Sequence, residues 1–204
     1  MPDVTAFVLA GGQSSRMGSD KSRLAVGRQT MLERALAITS KAAETIRIVG
    51  SRERYGLLGD VIEDIYQRCG PLGGIHAALC STSTDFNLIL SVDMPLMSAE
   101  FLSWLLQRAL GSPKQIVVPD IAGGPQPLCG VYRRDVREAV EQALQRGEYK
   151  IGRLFSQVPT CLIPEREIVA AGFSPDIFQN INTPEEYASL LPSMASDADG
   201  SAAN

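Results

Sequence analysis

The sequence lacks any apolar run of the length that a membrane-spanning helix needs, which is about 18 residues. Its start, Met1-Pro2-Asp3, carries an acid and leads directly into a strand-like segment, so the basic region and separate apolar stretch of a signal peptide are also missing. The 19 Lys and Arg residues are outnumbered by 23 Asp and Glu residues, and the basic excess typical of a nucleic-acid binder is therefore absent. We expect a cytoplasmic protein that contacts neither membrane nor nucleic acid.

The four cysteines form no Cys-x-x-Cys pair and no spacing typical of a zinc finger. They are Cys69, Cys80, Cys129 and Cys161, and each stands beside apolar or small residues. We expect four buried, reduced thiols rather than a disulfide framework. The single histidine, His76, falls at a predicted helix start and is interpreted as structural.

Apolar, strand-like runs alternate with helical patterns along most of the chain. The runs cover residues 6–10, 46–49, 61–62 and 87–92, and the last of them predicts the central strand. Helix starts are predicted by Ser98, by Asp135 with Glu138 at capping-box spacing, and by Thr183-Pro184-Glu185-Glu186.

This alternation predicts an α/β fold. We expect a single Rossmann-like domain over residues 1–191, with a mostly parallel, twisted sheet and helices on both faces. Residues 192–204 are small and polar and are predicted to form a disordered tail. Ligands of such sheets bind at the carboxyl ends of the strands, so the loops after Ala10, Val49, Ile62 and Val92 should border one crevice.

The first strand-like run leads into a glycine-rich loop, residues 11–21, that contains two cations. Gly11 and Gly12 let the backbone approach a ligand and point its amides at phosphate oxygens. Arg16 can donate to two phosphate oxygens at once, and Lys21 adds a point charge. The loop matches neither the Walker A motif nor the Gly-x-Gly-x-x-Gly dinucleotide fingerprint, which disfavours a P-loop GTPase. The pattern predicts a phosphate-binding loop, and a plain flexible turn is the alternative.

Two carboxylates close predicted strands at the same edge of the sheet. Asp93 ends the most apolar strand, directly before Met94-Pro95. Because Mg²⁺ typically takes one or two protein carboxylates together with phosphate oxygens, Asp93 is the candidate metal ligand. Asp64 ends a shorter strand and is a candidate contact to a base or ribose. For both residues the alternative is an aspartate in an ordinary turn.

Two further segments bring backbone and amide groups to this region. The turn over residues 70–75 includes Gly73 and leads into a predicted helix, and its glycines leave room for a nucleobase to lie against the backbone. Asn180 and Asn182 point the same way if their segment is extended, so they can hold an acceptor-rich second substrate. A tight connecting turn and ordinary turn chemistry are the respective alternatives.

Together and in this order, the motifs resemble those of a known family. Leu9-Ala10-Gly11-Gly12, Arg16-Met17-Gly18 and Asp20-Lys21 resemble the signature loop of nucleotidyltransferases of the molybdenum cofactor guanylyltransferase family. Later motifs of that family follow over about residues 4–191, namely Gly70-Pro71-Leu72-Gly73-Gly74, Asp93-Met94-Pro95, Gln126-Pro127-Leu128 and Asn180-Ile181-Asn182-Thr183-Pro184-Glu185-Glu186. The loop alone is shared with sugar-phosphate and other cytidylyl- or uridylyltransferases, whereas the full ordered set is more specific.

The resemblance implies transfer of GMP from GTP to molybdopterin carrying molybdenum, with Mg²⁺ as the cofactor. By its motifs, the nucleotide would be bound by Leu9, Ala10, Gly11, Gly12, Lys21, Asp64, Gly73 and Asp93. Asp93 would also hold the metal, Arg16 and Lys21 would neutralise charge, and Asn180 and Asn182 would act on the pterin side. We expect a monomer that contacts molybdenum-cofactor chaperones or acceptor enzymes only transiently.

The sequence departs from the family at one position and leaves other activities open. The family often has a nucleotide-contacting asparagine at the end of its second strand, where this sequence has Gly50 followed by Ser51. The double glycine of the first loop resembles the guanylyl branch, since cytidylyl relatives more often begin Ala-Ala-Gly. The alternatives are a cytidylyltransferase acting on the same pterin, a sugar-phosphate nucleotidyltransferase, and a non-catalytic cofactor carrier.

Overall fold

The apolar runs of the sequence form the strands of one mixed sheet in a computed structural model, which describes residues 3–11 and 21–189. Within these residues the strands are β1 (Val4–Leu9), β2 (Ala25–Val26), β3 (Gln29–Thr30), β4 (Thr45–Val49), β5 (Val61–Ile62), β6 (Phe86–Ser91), β7 (Ile116–Ile121), β8 (Gly124–Pro125), β9 (Cys129–Arg133) and β10 (Thr160–Pro164). The strand order is β10-β7-β9-β6-β1-β4-β5, with β8 paired to β7, while β2 and β3 form a separate hairpin.

The sheet is mostly parallel, as expected, and β6 lies at its centre. β1 runs parallel to β6 and β4, so Leu9, Ser91 and Val49 stand side by side at one edge. β9 is antiparallel to both β6 and β7, a strand that the sequence pattern did not predict. Because β9 runs the opposite way, the turn before it reaches the same edge, where the backbone N–H of Ser91 donates to the Leu128 carbonyl at 2.7 Å.

Helices cover both faces of the sheet, as predicted. They are α1 (Met31–Thr39), α2 (Arg52–Tyr55), α3 (Pro71–Ser81), α4 (Ala99–Leu110), α5 (Val136–Gln145) and α6 (Glu165–Ala170), and residues 184–189 form a further helical segment, α7. Along β1, Ala6 and Val8 belong to the apolar core that includes α1 and α4. Phe7 and Leu9 belong to the second core, formed with α3 and α5. Successive side chains of β1 point to opposite faces of the sheet, so this one buried strand contributes to the apolar core on each face.

All three predicted helix starts are confirmed in position, since α4 begins at Ala99, α5 at Val136 and α7 at residue 184. The Ser98 hydroxyl caps α4 by accepting from a backbone N–H of its first turn. Thr183 and Glu186 form a reciprocal pair at the start of α7, with distances of 3.1 and 3.2 Å. The capping box predicted at Asp135 is wrong, because the Asp135 carboxylate accepts from the Gln115 side-chain amide at 2.7 Å and makes no bond to the helix backbone.

The cysteines are free thiols, but the expectation that all four are buried is wrong. Cys69 and Cys129 are buried, Cys161 is half-buried, and Cys80 is exposed near the end of α3. Burial raises the pKa of the Cys129 thiol, so this side chain stays neutral. The tail over residues 192–204, predicted to be disordered, lies outside the described residues.

An aromatic cluster supports the segment that follows α6. The Phe101 ring, on α4, is fully buried. Its centroid lies 5.5 Å from Trp104, 5.2 Å from Phe173 and 5.1 Å from Phe178. The chain after Phe178 is thereby packed against the main core, and Ile181 is buried there as well.

None of the helices within residues 3–11 and 21–189 is both long and apolar enough to cross a membrane.

Candidate functional site

A cavity of about 730 Å³ opens at the carboxyl end of the sheet, which is a typical volume for a small-molecule site. It is bordered by the end of β1, by the loops after β4 and β5 and by the start of α3. The lining residues are Ala10, Gly11, Ser51, Arg54, Tyr55, Asp64, Gln67, Arg68, Gly70 and Pro71. Three of the four loops predicted to share one crevice therefore do so, whereas the loop after Val92, which carries Asp93, is not among the lining residues.

The end of β1 brings the predicted loop to this cavity. The backbone N–H groups of Ala10 and Gly11 both donate to the Val49 carbonyl, at 2.9 and 3.1 Å. Leu9 itself is buried in the core beneath them. Gly12 and Arg16, which were predicted to contact phosphate, lie outside the described residues.

Asp64 stands at the cavity wall, in front of the first turn of α3. Its carboxyl is half-buried, and this burial raises its pKa. A Cβ on Gly73 would lie 2.9 Å from the Tyr66 carbonyl oxygen and 3.8 Å from Asp64 Oδ2, so only glycine lets α3 pack this closely behind the carboxylate. Direct contact of Gly73 with a nucleobase stays a prediction.

Asp93 lies in the turn directly after β6. The turn is tied to β1 by the Val92 N–H, which donates to the Leu9 carbonyl at 3.1 Å, and to α1 by Arg34, whose Nε donates to the Pro95 carbonyl at 2.6 Å. Asp93 Oδ1 is buried and finds no hydrogen-bond partner among the described residues. A buried anionic oxygen without a donor is costly, and a cation would satisfy it.

The segment before α7 joins the Asp93 turn to Lys21. The Ile181 N–H donates to the Asp93 carbonyl at 2.9 Å, and Lys21 Nζ donates to Asn182 Oδ1 at 2.9 Å across 161 residues of sequence. Three of the predicted site residues, Lys21, Asp93 and Asn182, are thus brought together. Asn180 lies beside them with a buried Oδ1 that has no partner within the described part of the chain.

Two residues that the sequence analysis did not assign to the site, Glu186 and Tyr187, hold this arrangement. Glu186 accepts from the backbone N–H of Asn182 at 2.6 Å, and the Tyr187 hydroxyl donates to the Ala25 carbonyl. The sequence shows the helix-capping pattern of Thr183 and Glu186. It does not show that Glu186 also holds Asn182, the partner of Lys21, because that contact depends on tertiary packing.

His76 is buried within α3, as the structural interpretation requires. Its ring packs edge-on against Tyr66 with centroids 5.0 Å apart, and its Nε2 lies 3.5 Å from Cys80 Sγ. Burial lowers the pKa of the imidazole. His76 is therefore placed to pack α3 and not to exchange protons with a ligand in the cavity.

The fold and this site define the class of protein. The sheet is mostly parallel and has helices on both faces. A turn with a lysine follows its first strand, and an aspartate follows its central strand. This is the arrangement of a nucleotidyltransferase. The chain belongs to the family of the MobA-like NTP transferase domain, whose model matches residues 6–161.

Relatives extend the similarity over nearly the whole chain. A protein of Pelotomaculum thermopropionicum named probable molybdenum cofactor guanylyltransferase is 32% identical over 188 residues, which cover 91% of each chain. A protein of Methanothermobacter thermautotrophicus with the same name is 34% identical over 191 residues, covering 88% of this chain and 94% of the relative.

Solved structures confirm the fold. Molybdopterin-guanine dinucleotide biosynthesis protein A from Archaeoglobus fulgidus superposes with a TM-score of 0.80 at 22% identity, covering 96% of this chain and 99% of the other. A nucleotidyl transferase from Methanothermobacter gives a TM-score of 0.73 at 17% identity, over 96% and 99% of the two chains.

Proposed function

We propose that this nucleotidyltransferase transfers GMP from GTP to molybdopterin carrying molybdenum, forming the guanine dinucleotide cofactor and pyrophosphate. The observation that carries the reaction class is the meeting of Lys21, Asp93 and Asn182. Ser22, the residue after Lys21, donates to the Tyr55 hydroxyl and so connects this group to the wall of the cavity. The choice of guanine and of the pterin acceptor is supported by the names of relatives that match most of the chain.

Asp93 fits a magnesium ion. The described residues hold no cluster of three or more His, Cys, Asp or Glu side chains that could enclose a metal, but Mg²⁺ needs only one or two protein carboxylates when phosphates supply further oxygens. The buried, unpartnered Oδ1 of Asp93 is suited to that role. Bound there, Mg²⁺ would neutralise charge on the triphosphate.

The reaction joins two anions, and the residues of the chain act mainly by positioning and charge. A terminal phosphate oxygen of the acceptor forms a bond to the α-phosphorus of GTP, while the bond from that phosphorus to the bridging oxygen breaks and pyrophosphate leaves. Lys21 stabilises the negative charge that develops on the phosphates. The acceptor phosphate is already ionised at neutral pH, so no general base is required, and Asn180 and Asn182 orient the acceptor.

The hydrogen bond between Lys21 and Asn182 gives a prediction about the nucleotide. Replacing Asn182 with alanine removes the acceptor that orients Lys21 Nζ, and we expect GTP affinity to fall about tenfold, since bonds to charged groups are among the stronger ones. Isothermal titration with GTP and Mg²⁺ measures the effect. Gln179→Ala changes an exposed amide in the same segment and serves as the control. Unchanged affinity in Asn182→Ala would assign this asparagine to the acceptor side alone.

Thermal stability tests the choice of nucleotide. A ligand that binds only the folded state stabilises it by about 2.7 kcal/mol at 100 times its dissociation constant. We expect a clear rise of the melting temperature with GTP and Mg²⁺, and little with CTP, UTP or ATP. A preference for CTP would instead support the cytidylyltransferase alternative.

Pyrophosphate release separates an enzyme from a cofactor carrier. With GTP, Mg²⁺ and molybdopterin carrying molybdenum, we expect one pyrophosphate for each dinucleotide formed. Binding of the pterin without pyrophosphate release would support the carrier. We propose that the product passes to molybdenum-cofactor chaperones or acceptor enzymes.

A further inference from the structure

Tyr55 connects two parts of the candidate nucleotide site that are separated along the chain. Its hydroxyl donates to the Ala10 carbonyl at 3.3 Å and accepts from the Ser22 hydroxyl at 3.2 Å. Ala10 ends the strand that delivers the glycine loop, and Ser22 directly follows Lys21. One phenol therefore bridges the residues that flank residues 11–21.

The Tyr55 ring is held in place by close packing against Gly50. Its ring is 3% exposed, although it contributes to the wall of the 730 Å³ cavity. A Cβ on Gly50 would lie only 2.8 Å from Tyr55 Cε2 and 3.3 Å from the Gly11 nitrogen. Glycine at this position therefore lets the ring lie across the end of β4, with its hydroxyl directed at Ala10.

We propose that Tyr55 is a positioning residue for the nucleotide. By bonding to Ala10 and Ser22, its hydroxyl fixes the end of β1 relative to the turn that carries Lys21. The end of β1 and the turn that carries the Lys21 ammonium are then held in a fixed relation before the nucleotide arrives. This inference rests on the proposed nucleotidyl transfer, because it assigns the tyrosine to that same site.

The lengths of the two hydrogen bonds indicate which properties the loss of the Tyr55 hydroxyl should change. Both distances exceed the 2.7–2.8 Å usual for hydroxyl–oxygen pairs, so each bond is weak and neither supports the fold alone. Removing the hydroxyl while keeping the ring should leave the packing over Gly50 intact. The loss should appear in the binding of nucleotide and in local backbone motion.

The first test is Tyr55→Phe, compared with Tyr149→Phe, which changes a half-exposed tyrosine outside the cavity. We expect Tyr55→Phe to weaken GTP binding about tenfold, equivalent to about 1.4 kcal/mol, with KM raised more than kcat is lowered. Amide hydrogen exchange without nucleotide should become faster at Gly11 and Ser22. The melting temperature of the nucleotide-free protein should change little, and Tyr149→Phe should change none of these quantities.

A double-mutant cycle with Ser22→Ala gives the second test. If the two hydroxyls act through one bond, the double variant should lose less GTP affinity than the sum of the single losses. Unchanged affinity and unchanged exchange in Tyr55→Phe, or a lower melting temperature with normal affinity, would overturn the positioning role. Failure of the unaltered protein to bind any triphosphate would instead contradict the proposed function. The hydrogen-exchange rates at Gly11 and Ser22 would still show whether the Tyr55 hydroxyl holds the two segments together.

Discussion

Asp93→Asn should lower the rate of Mg²⁺-dependent nucleotidyl transfer by about 10²–10³-fold, the range observed when one electrostatic stabiliser is removed from an active site. The substitution keeps the size of the side chain and removes its charge. Because Oδ1 is buried and has no other partner in the described structure, no neighbouring residue depends on that oxygen, and the turn should keep its shape. The loss should therefore appear in turnover rather than in folding.

The control for this variant is Asp85→Asn, since Asp85 immediately precedes β6 and Asp93 follows its end. Asp85 is exposed, and its replacement should leave the rate unchanged. Pyrophosphate release at increasing Mg²⁺ concentrations measures both variants. A near-normal rate for Asp93→Asn, with the usual Mg²⁺ dependence, would remove Asp93 from the metal role.

Phe101→Ala should lower the free energy of unfolding by about 3–5 kcal/mol, as is typical for a buried phenylalanine. Total stabilities of about 5–15 kcal/mol are usual, so this variant stays folded only with a small margin. The ring is fully buried and contacts Trp104, Phe173 and Phe178. Its removal leaves a cavity beneath the segment that leads to Asn180 and Asn182, so use of the acceptor should suffer. GTP affinity should fall as well, because Asn182 accepts a hydrogen bond from Lys21.

Urea denaturation measures this loss. Val169→Ala removes a side chain that is 53% exposed, and we expect it to cost less than 0.5 kcal/mol, as surface changes of roughly ±0.5 kcal/mol usually do. A loss below about 1 kcal/mol for Phe101→Ala would show that the cluster refills the space and that the packing described above is not needed for stability.

The sequence was most informative where a strand carries its own apolar signal. β1, β4, β5 and β6 were predicted from their apolar runs, and β1 and β6 are buried over nearly their whole length. β7, β9 and β10 were not predicted. In β9, Gly130 interrupts the apolar pattern. A Cβ there would lie 2.5 Å from Val118 Cγ1, so the glycine is required by close packing against β7, which local pattern does not reveal.

For the candidate site, the sequence predicted a set of residues but not their arrangement. Motif order identified Lys21, Asp64, Asp93 and Asn182, and the loops after β1, β4 and β5 do border one crevice. The bond between Lys21 and Asn182 spans 161 positions, and no spacing rule reaches that far. Tyr55 was not predicted as a site residue for a related reason. It lies in a short helix, and its contact with Ala10, at the end of β1, is visible only in the folded structure.

The two substrates of the proposed reaction are served by opposite ends of the polypeptide. Ala10, Lys21, Asp64 and Asp93 all belong to the first half of the chain, whereas Asn180 and Asn182 come after residue 161, where the match to the family model ends. Residues 165–189 are attached through the aromatic cluster and a few hydrogen bonds, and this described part of the segment adds no strand to the sheet. A change confined to residues 165–189 therefore leaves every strand of the described sheet in place.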